Sequence, residues 1–402
     1  MGRRALLAGL AVTALAAAPA SAAPATVAET PVVFVTFDEL PTTSLLDRRG
    51  NLDARRFPGF AAFARTSTWF AQTTTVADGT RWAAPVVIGG RYPDRRRIAA
   101  WFDYEPNLFT LLERTHRVHA IEPMTRLCPP RLCGRTLPGS RRTQARTLTE
   151  LIPRAKHDAA HRSAMARWIQ TIRPWRRGKP PLYFIHVLMP HHPWVWMPDG
   201  RRYALPTPGI PGLFGDNMWR RDQLAVDQGW KRHLLQTGYT DLLLRRLMAR
   251  LRAVGLWDRA LVAFSADHGV SFVPGSSRRS ATPRTVGGIA PVPFFLKAPG
   301  QRTPQRVEGH VETVDVLPTI AAALGVPQAP EWDGRPVVPG YRPKPRVDLW
   351  STTSVVTFNR RTYSLAYVRR EAARVVARQH ARFGAGPLRG PFWANPFTPT
   401  HR

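Results

Sequence analysis

Two apolar runs of this sequence end in side chains that can bind a metal ion. The run LVAFSA is followed by Asp267 and His268, and the run VVFVTF is followed by Asp38 and Glu39. Ligands gather at the carboxyl ends of the strands in an α/β sheet. A carboxylate oxygen and an imidazole nitrogen at adjacent positions can both bind one ion. The two runs therefore predict one metal site at the rim of one sheet.

Apolar runs of strand length alternate with helical patterns over most of the chain. Residues 32–37, 182–188 and 261–265 have the composition of buried strands, and leucines at helical spacing predict a helix over residues 230–254. This alternation predicts the α/β class, with a largely parallel, doubly wound sheet and helices on both faces. We expect a catalytic domain over residues 30–340. The small C-terminal extension, residues 341–402, is expected to form a hairpin or a sheet edge on the main domain.

Residues 1–22 have the pattern of a secretory signal peptide. Arg3 and Arg4 precede an apolar stretch, and Ala20, Ser21 and Ala22 form an A-x-A cleavage site. The apolar stretch is too short to span a bilayer comfortably. The general secretion route and the twin-arginine route both stay open. No later segment is apolar enough to span a membrane, so we expect the mature protein to be secreted or otherwise extracytoplasmic.

The cysteines of the chain are Cys128 and Cys133. In an oxidising compartment this pair can close a small loop through Pro129 and Pro130. A zinc site needs more ligands than two cysteines, and no others lie nearby in the sequence. The sequence therefore predicts a structural disulfide.

The chain carries a formal net charge of +31. Charge of this sign attracts nucleic acids and anionic envelope surfaces. The arginines are spread along the whole chain, however, and no nucleic-acid-binding motif is present. We therefore expect no nucleic-acid partner, while an anionic substrate and peripheral contact with a membrane stay open. The sequence leaves the oligomeric state open.

Six short segments, taken in order, resemble the sulfatase-like branch of the alkaline phosphatase superfamily. They are VVFVTFDEL at Val32–Leu40, GGRYP at Gly89–Pro93, PHHP at Pro190–Pro193, ADHG at Ala266–Gly269, a V-P…P-G segment from Val292 to Gly300, and D-x-x-P-T at Asp315–Thr319. The resemblance runs from about Val32 to Gly325. It implies the α/β fold of that superfamily, a bound metal ion and an anionic ester substrate.

The spacing of the family assigns the nucleophile to Thr80. In sulfatases a C-x-P-x-R segment precedes the G-R-x-P segment, and its cysteine or serine matures to formylglycine. Counting back from Pro93 reaches Thr80, with Trp82 at the position of the proline and Ala84 at that of the arginine. Phosphoethanolamine transferases, lipoteichoic acid synthases and nucleotide pyrophosphatases of the same superfamily use a threonine. The resemblance therefore implies phosphoryl or phosphodiester transfer rather than sulfate ester hydrolysis.

The resemblance also implies roles for the residues around the predicted metal. Asp38, Thr80, Asp267 and His268 would surround one divalent ion, which is zinc, manganese, magnesium or calcium. A metal bound to the Thr80 oxygen lowers the pKa of the hydroxyl and directs its attack on phosphorus. His191 would protonate the leaving group. The sequence contains no D-x-x-x-H segment for a second ion, so we predict one ion.

Further polar residues would hold the substrate. The side chains predicted to bind its non-transferred oxygens are Arg81, His192, Arg278 and Arg279. Glu39 occupies a position where many relatives have a second acid, so it is either a metal ligand or a solvated neighbour. His186 is expected to be a core or surface histidine.

The leading hypothesis is an exported, metal-dependent hydrolase or transferase acting on a phosphate ester or diester of an envelope lipid or polymer. Envelope transferases of this group usually carry membrane helices, so their absence here favours a hydrolase, or a transferase that takes its substrate from the membrane surface. A first alternative is a sulfatase that works without formylglycine. A second alternative is a non-catalytic protein that uses the fold to bind an anionic glycan or polymer.

Overall fold

The computed structural model describes residues 27–133, 164–204, 210–215, 217–352 and 358–397. The signal-peptide prediction at residues 1–22 lies outside the described residues. The strands are β1 (Val32–Asp38), β2 (Thr68–Thr74), β3 (Arg117–Ile121), β4 (Pro181–Pro190), β5 (Leu213–Phe214), β6 (Met218–Trp219), β7 (Leu261–Ala266), β8 (Phe294–Lys297), β9 (Gln305–Glu312), β10 (Arg346–Thr352) and β11 (Phe358–Ser364). The α-helices are α1 (Thr42–Leu45), α2 (Pro58–Ala64), α3 (Thr80–Gly89), α4 (Leu108–Leu112), α5 (Pro130–Cys133), α6 (Ala164–Thr171), α7 (Gln223–Ala253), α8 (Val286–Ile289), α9 (Val316–Ala323), α10 (Leu365–Phe383) and α11 (Pro391–Ala394). Short 3₁₀ helices cover Val27–Glu29, Trp101–Asp103 and Thr313–Asp315.

Seven of the strands form one sheet in the order β3-β4-β1-β7-β8-β2-β9. Neighbouring strands pair in parallel except around β8, which is antiparallel to both β7 and β2. The other six strands therefore run in one direction, and their carboxyl ends share one edge of the sheet. The predicted largely parallel α/β sheet is confirmed.

Alternate residues of β1 face two separate hydrophobic layers, because successive side chains of a strand point to opposite faces. Val33, Val35 and Phe37 belong to the layer that includes α2, α6 and α7. Val32 and Phe34 belong to the layer that includes α3, α4 and α9. All five side chains are at most 1% exposed, and burying each contributes about 1.5–3 kcal/mol. Helices thus cover both faces of the sheet, as predicted.

The long helix α7 begins earlier than the sequence pattern predicts. Its first residue is Gln223, because the Asp222 side chain accepts hydrogen bonds from the amides of Leu224 at 2.9 Å and Ala225 at 3.3 Å. This N-cap satisfies amides that have no partner within the helix. The described residues that precede α7 also contain the short antiparallel pair β5 and β6.

Within the described residues, the C-terminal extension adds no strand to the large sheet. β10 and β11 pair antiparallel with each other, and a bridge between Ala77 and Trp350 joins them to the main domain. The chain then becomes helical, because the Ser364 side chain accepts a hydrogen bond from the Tyr367 amide at 3.2 Å and caps α10. The extension is therefore a hairpin followed by a helix rather than an edge strand.

Two further features were expected from the sequence. Cys128 and Cys133 form a disulfide with their Cα atoms 6.1 Å apart, as predicted. No helix in the described ranges is both long and apolar enough to cross a membrane.

Candidate active site

The carboxyl ends of three adjacent parallel strands bring several predicted residues together. Asp38 is the last residue of β1. Asp267 follows β7, and its amide donates to the carbonyl of Phe37 at 3.0 Å. His191 follows β4, whose Pro190 lies opposite Asp38 in the register. The sheet therefore places three buried polar side chains at one edge.

Thr80 joins this cluster from a different element. β2 ends at Thr74, and after a connection the chain enters α3, with Gly79 as the N-cap and Thr80 as the first residue. The Thr80 hydroxyl lies 3.3 Å from Nε2 of His268 and 3.2 Å from Nη2 of Arg279. The amino end of a helix carries unpaired N–H groups and partial positive charge. This position therefore favours an anion bound beside Thr80.

His268 presents a nitrogen lone pair to the cluster. Its Nδ1 lies 2.9 Å from the carbonyl oxygen of Gly269, so Nδ1 carries the proton and donates it. Burial lowers the pKa of His268, which favours the neutral ring. Nε2 then points at the acids, 3.6 Å from Oδ2 of Asp267 and 3.8 Å from Oδ1 of Asp38. A neutral imidazole in this tautomer can bind a metal through Nε2.

Two buried carboxylates in the cluster have acceptor atoms that make no hydrogen bond. Within the described parts of the chain, Oδ1 of Asp38 and Oδ2 of Asp267 lack a hydrogen-bond partner. Burial, reinforced by repulsion from Asp267 and Glu39, raises the pKa of Asp38 to about 8. A divalent cation would offset this repulsion and bind the free oxygens. The donor set therefore fits the predicted metal ion.

Glu39 is fully buried and held by positive charge. Nη1 of Arg278 lies 2.5 and 2.6 Å from its two carboxylate oxygens, and Nε of Arg279 and Nε2 of His191 each lie 3.3 Å from Oε1. Burial alone would raise the pKa of Glu39, but the two arginines lower it to about 2. Its φ of +61° is in the left-handed region, which is strained for a residue with a side chain. The alternative of a solvated neighbour is wrong, because the exposed fraction of Glu39 is 0%.

The four residues predicted to bind substrate occupy different places. Arg279 contacts the nucleophile candidate and donates to Nε2 of His268 at 2.8 Å. Arg278 is buried against Glu39. His192 stacks on His191 with ring centroids 4.6 Å apart. Arg81 follows Thr80 but places its guanidinium over the ring of Trp82, 5.2 Å from the centroid. Arg279 thus contacts Thr80 and His268 directly, whereas Arg278 contacts the cluster by way of Glu39.

His186 belongs to this site, although the sequence suggested a core or surface histidine. Its Nε2 lies 4.0 Å from Oδ2 of Asp267, and its Nδ1 lies 2.9 Å from Oε1 of Glu122. Asp38, His186 and Asp267 offer ligand atoms within 4.8 Å of one another, as do Asp38, Glu39 and His191. Burial alone would lower the pKa of His186, but Glu122 and the two aspartates raise it to about 9. His186 lies on β4, which is next to β1 in the sheet. A histidine inside a predicted buried strand is the sequence signal that could have identified it as a site residue.

Comparisons with known proteins agree with this geometry. A family model described as Sulfatase matches residues 100–326, which is more than half of the chain. The chain therefore belongs to the sulfatase family, in the alkaline phosphatase superfamily. The matched region includes Asp267 and His268, whereas Asp38 and Thr80 precede it.

Individual relatives are more distant. The chain is 31% identical to arylsulfatase K of Danio rerio over 100 residues, which are 25% of this chain and 19% of that protein. The chain thus matches about a fifth of the length of this curated relative. The phosphonate monoester hydrolase of Agrobacterium radiobacter has a TM-score of 0.60 at 16% identity, over 88% of this chain and 93% of that one. The lipoteichoic acid synthase LtaP from Listeria monocytogenes has a TM-score of 0.51 at 13% identity, over 90% of this chain and 94% of that one. At these identities the two structures show a shared fold.

Proposed function

We propose that this protein is an exported, metal-dependent enzyme that hydrolyses or transfers phosphate esters or diesters through Thr80. The observation that carries the proposal is the position of the Thr80 hydroxyl. It is buried at the amino end of α3 and lies between His268 and Arg279, beside two carboxylates with free oxygens. A structural threonine has no need of this arrangement of metal-binding and anion-binding groups.

Each residue of the cluster then has a chemical task. Asp38, Asp267 and His268 would hold a divalent ion, which would lower the pKa of the Thr80 hydroxyl when bound. After the hydroxyl proton has gone to solvent, Oγ1 of Thr80 forms a bond to phosphorus as the bond from phosphorus to the leaving oxygen breaks. His191 gives its proton to that oxygen. Water or an acceptor hydroxyl then attacks the phosphothreonine, returns a proton to His191 and releases Oγ1. Arg279 and the amides at the start of α3 hold the non-transferred oxygens.

The substrate and the compartment are part of the same proposal. The signal-peptide pattern at residues 1–22 and the disulfide between Cys128 and Cys133 support an oxidising location outside the cytoplasm. A phosphate ester or diester of an envelope lipid or polymer is the substrate class that fits this location. The similar structures include an enzyme named for phosphonate monoesters and one named for lipoteichoic acid.

A sulfatase that works without formylglycine is the second candidate. The family match and the similarity to an arylsulfatase favour it. This candidate would need an unmodified residue to turn over a sulfate ester. The absence of the C-x-P-x-R segment opposes it, since its positions are occupied by Thr80, Trp82 and Ala84. A non-catalytic binder of an anionic glycan or polymer is the third candidate.

The test is elemental analysis of the purified mature protein together with assays on a bis-aryl phosphodiester, an aryl phosphate and an aryl sulfate. We expect one ion per chain, lost in Asp267→Ala. We expect turnover of a phosphoester to fall by about 10³-fold or more in Thr80→Ala, because the nucleophile is removed. Thr171→Ala, an exposed threonine outside the cluster, should keep both the metal and the activity.

The other candidates predict different results. Sulfate ester turnover that survives Thr80→Ala would contradict the assignment of the nucleophile. A protein without metal that turns over no ester would favour the non-catalytic binder.

A further inference from the structure

A cavity of about 760 Å³ lies between α1, β2 and α10. Its walls include Thr42 and Thr43 of α1, residues 71–74 of β2 and one face of α10. None of the residues assigned above to the candidate active site lines it. The volume is in the range of about 300–1,000 Å³ that small-molecule sites occupy. The cavity is therefore large enough for a ligand of its own.

Much of the wall is apolar. Ala373, Ala377 and Ala381 recur every four residues, which places them on one side of α10. Val376 of the same helix is buried, and Trp69 of β2 is 6% exposed on another wall. From Leu365 to Ala381 the part of α10 that lines the cavity is about 24 Å long at the rise of an α-helix. A trough of this shape and length fits an extended alkyl chain.

The rim of the cavity is positively charged. Its ionisable lining residues are Arg48, Arg49, Arg306 and Arg369, and among the described residues that line it there is no aspartate or glutamate. Arg306 stacks over Trp69 at 4.5 Å and pairs with Glu308 outside the cavity. The side chain of Arg49 has no hydrogen-bond or ion-pair partner in the described ranges. An anionic group at the rim would therefore meet the positive charge of Arg49, which no described acidic side chain neutralises.

One wall contains an unsatisfied donor. Thr42 is 4% exposed, and its hydroxyl oxygen makes no hydrogen bond with any described residue. A buried hydroxyl without a partner is costly, so a ligand with acceptor atoms would be favoured there. An apolar trough, a cationic rim and a free buried donor thus occur in one cavity.

We propose that this cavity binds a free long-chain fatty acid. The alkyl chain lies along the alanine side of α10, and the carboxylate faces the arginines of the rim, with the Thr42 hydroxyl as a further donor. Charge complementarity selects an anion over a neutral alcohol. This site is separate from the candidate active site around Thr80, and the proposal does not depend on the proposed function.

The proposal is tested by calorimetric titration of the purified mature protein with octanoate, decanoate and dodecanoate, each below its micelle concentration. We expect affinity to rise by up to about fourfold for each added methylene, because each is buried from water. Dodecanol and dodecyltrimethylammonium have the same chain without the negative charge, and they should bind at least about tenfold more weakly. Thr80→Ala should bind dodecanoate like the wild type, which separates this proposal from the proposed function.

Two matched pairs of variants locate the site. Ala377→Trp fills the trough and should weaken dodecanoate binding by about tenfold or more, whereas Ala366→Trp, at an exposed position of α10 outside the lining, should not. Arg49→Glu should weaken binding by about fivefold or more, whereas Arg55→Glu, an exposed arginine outside the cavity, should not.

Three results would overturn the proposal. They are equal binding of dodecanol, dodecanoate binding that Ala377→Trp leaves unchanged, and binding to vesicles of anionic phospholipid with none to monomeric fatty acid. The last result would identify the surface as a membrane contact.

Discussion

Glu39 carries a buried negative charge that neutralises Arg278 and part of the charge of Arg279. The sequence offered two interpretations of this residue, and the geometry adds a third role as counter-ion. Arg278 is therefore better described as a residue that positions Glu39 than as a group in contact with substrate. Whether Glu39 also binds the metal stays a prediction, since it forms a potential ligand group with Asp38 and His191.

We expect Glu39→Gln to lower the free energy of unfolding by about 3–5 kcal/mol, because it removes the negative charge that lies 2.5 Å from the buried Arg278 guanidinium. Urea denaturation in the presence of EDTA measures this loss without a contribution from bound metal. Glu113→Gln is the control, since Glu113 pairs with Arg131 at 2.7 Å with the two side chains 26% and 48% exposed. That substitution should cost less than about 1 kcal/mol. Equal losses in the two variants would contradict the buried ion pair.

At the scale of elements, Asp241 connects α7 to the start of α2. Its carboxylate accepts a hydrogen bond from the Phe60 amide at 2.8 Å, near the unpaired first turn of α2. Burial raises the pKa of Asp241 to about 6, although the amides of Phe60 and Gly59 oppose this. Asp241 therefore has a structural task in holding two helices together.

The raised pKa predicts how stability depends on pH. Because the pKa is higher in the folded state, the contribution of Asp241 is fully present below about pH 4 and is lost as the pH rises to about 6. The loss is about 3 kcal/mol, from a shift of about two units. Asp241→Asn does not titrate and its amide oxygen can still accept from Phe60, so its stability should fall less over this range. Urea midpoints between pH 4.5 and 7.5 measure the difference.

Asp258→Asn provides the matched comparison, because the Asp258 side chain is 56% exposed. It should keep the pH dependence of the wild type. Parallel curves for Asp241→Asn and the wild type would contradict the raised pKa.

The C-terminal helix is also an element-scale feature. Arg56 is buried, and its guanidinium donates to the carbonyls of Phe383 at 3.0 Å and Gly386 at 3.1 Å. α10 and α8 approach closely, since a Cβ on Gly287 would lie 2.4 Å from the backbone carbon of Glu371. The extension therefore packs on the main domain and forms one wall of the proposed fatty-acid site.

At the scale of the whole molecule, the common direction of six strands concentrates negative charge at one edge of the sheet. Asp38 and Asp267 are buried there with free oxygens, and burial together with their mutual repulsion raises the pKa of Asp38. We expect a divalent ion at 100 times its Kd to stabilise the protein by about 2.7 kcal/mol against unfolding. Thermal denaturation with Mn²⁺ or Zn²⁺ against EDTA measures this effect.

The stabilisation should disappear in Asp267→Asn and persist in Asp199→Asn, whose side chain is 52% exposed and belongs to neither group of potential metal ligands. A metal effect of equal size in both variants would place the ion elsewhere.

The sequence by itself determined the buried strands β1, β4 and β7, the class of fold and most of the cluster. Apolar runs specify buried strands, and in parallel strands the residue that follows each run must lie at the shared carboxyl edge. Asp38, Asp267 and His268 could be predicted for this reason, and the family spacing added Thr80. Only the tertiary structure decided which charges neutralise each other. Arg278 is 239 residues from Glu39, and His186 is 64 residues from Glu122. Such pairs depend on the order and register of strands and on loop paths, which a local pattern of residue types does not contain.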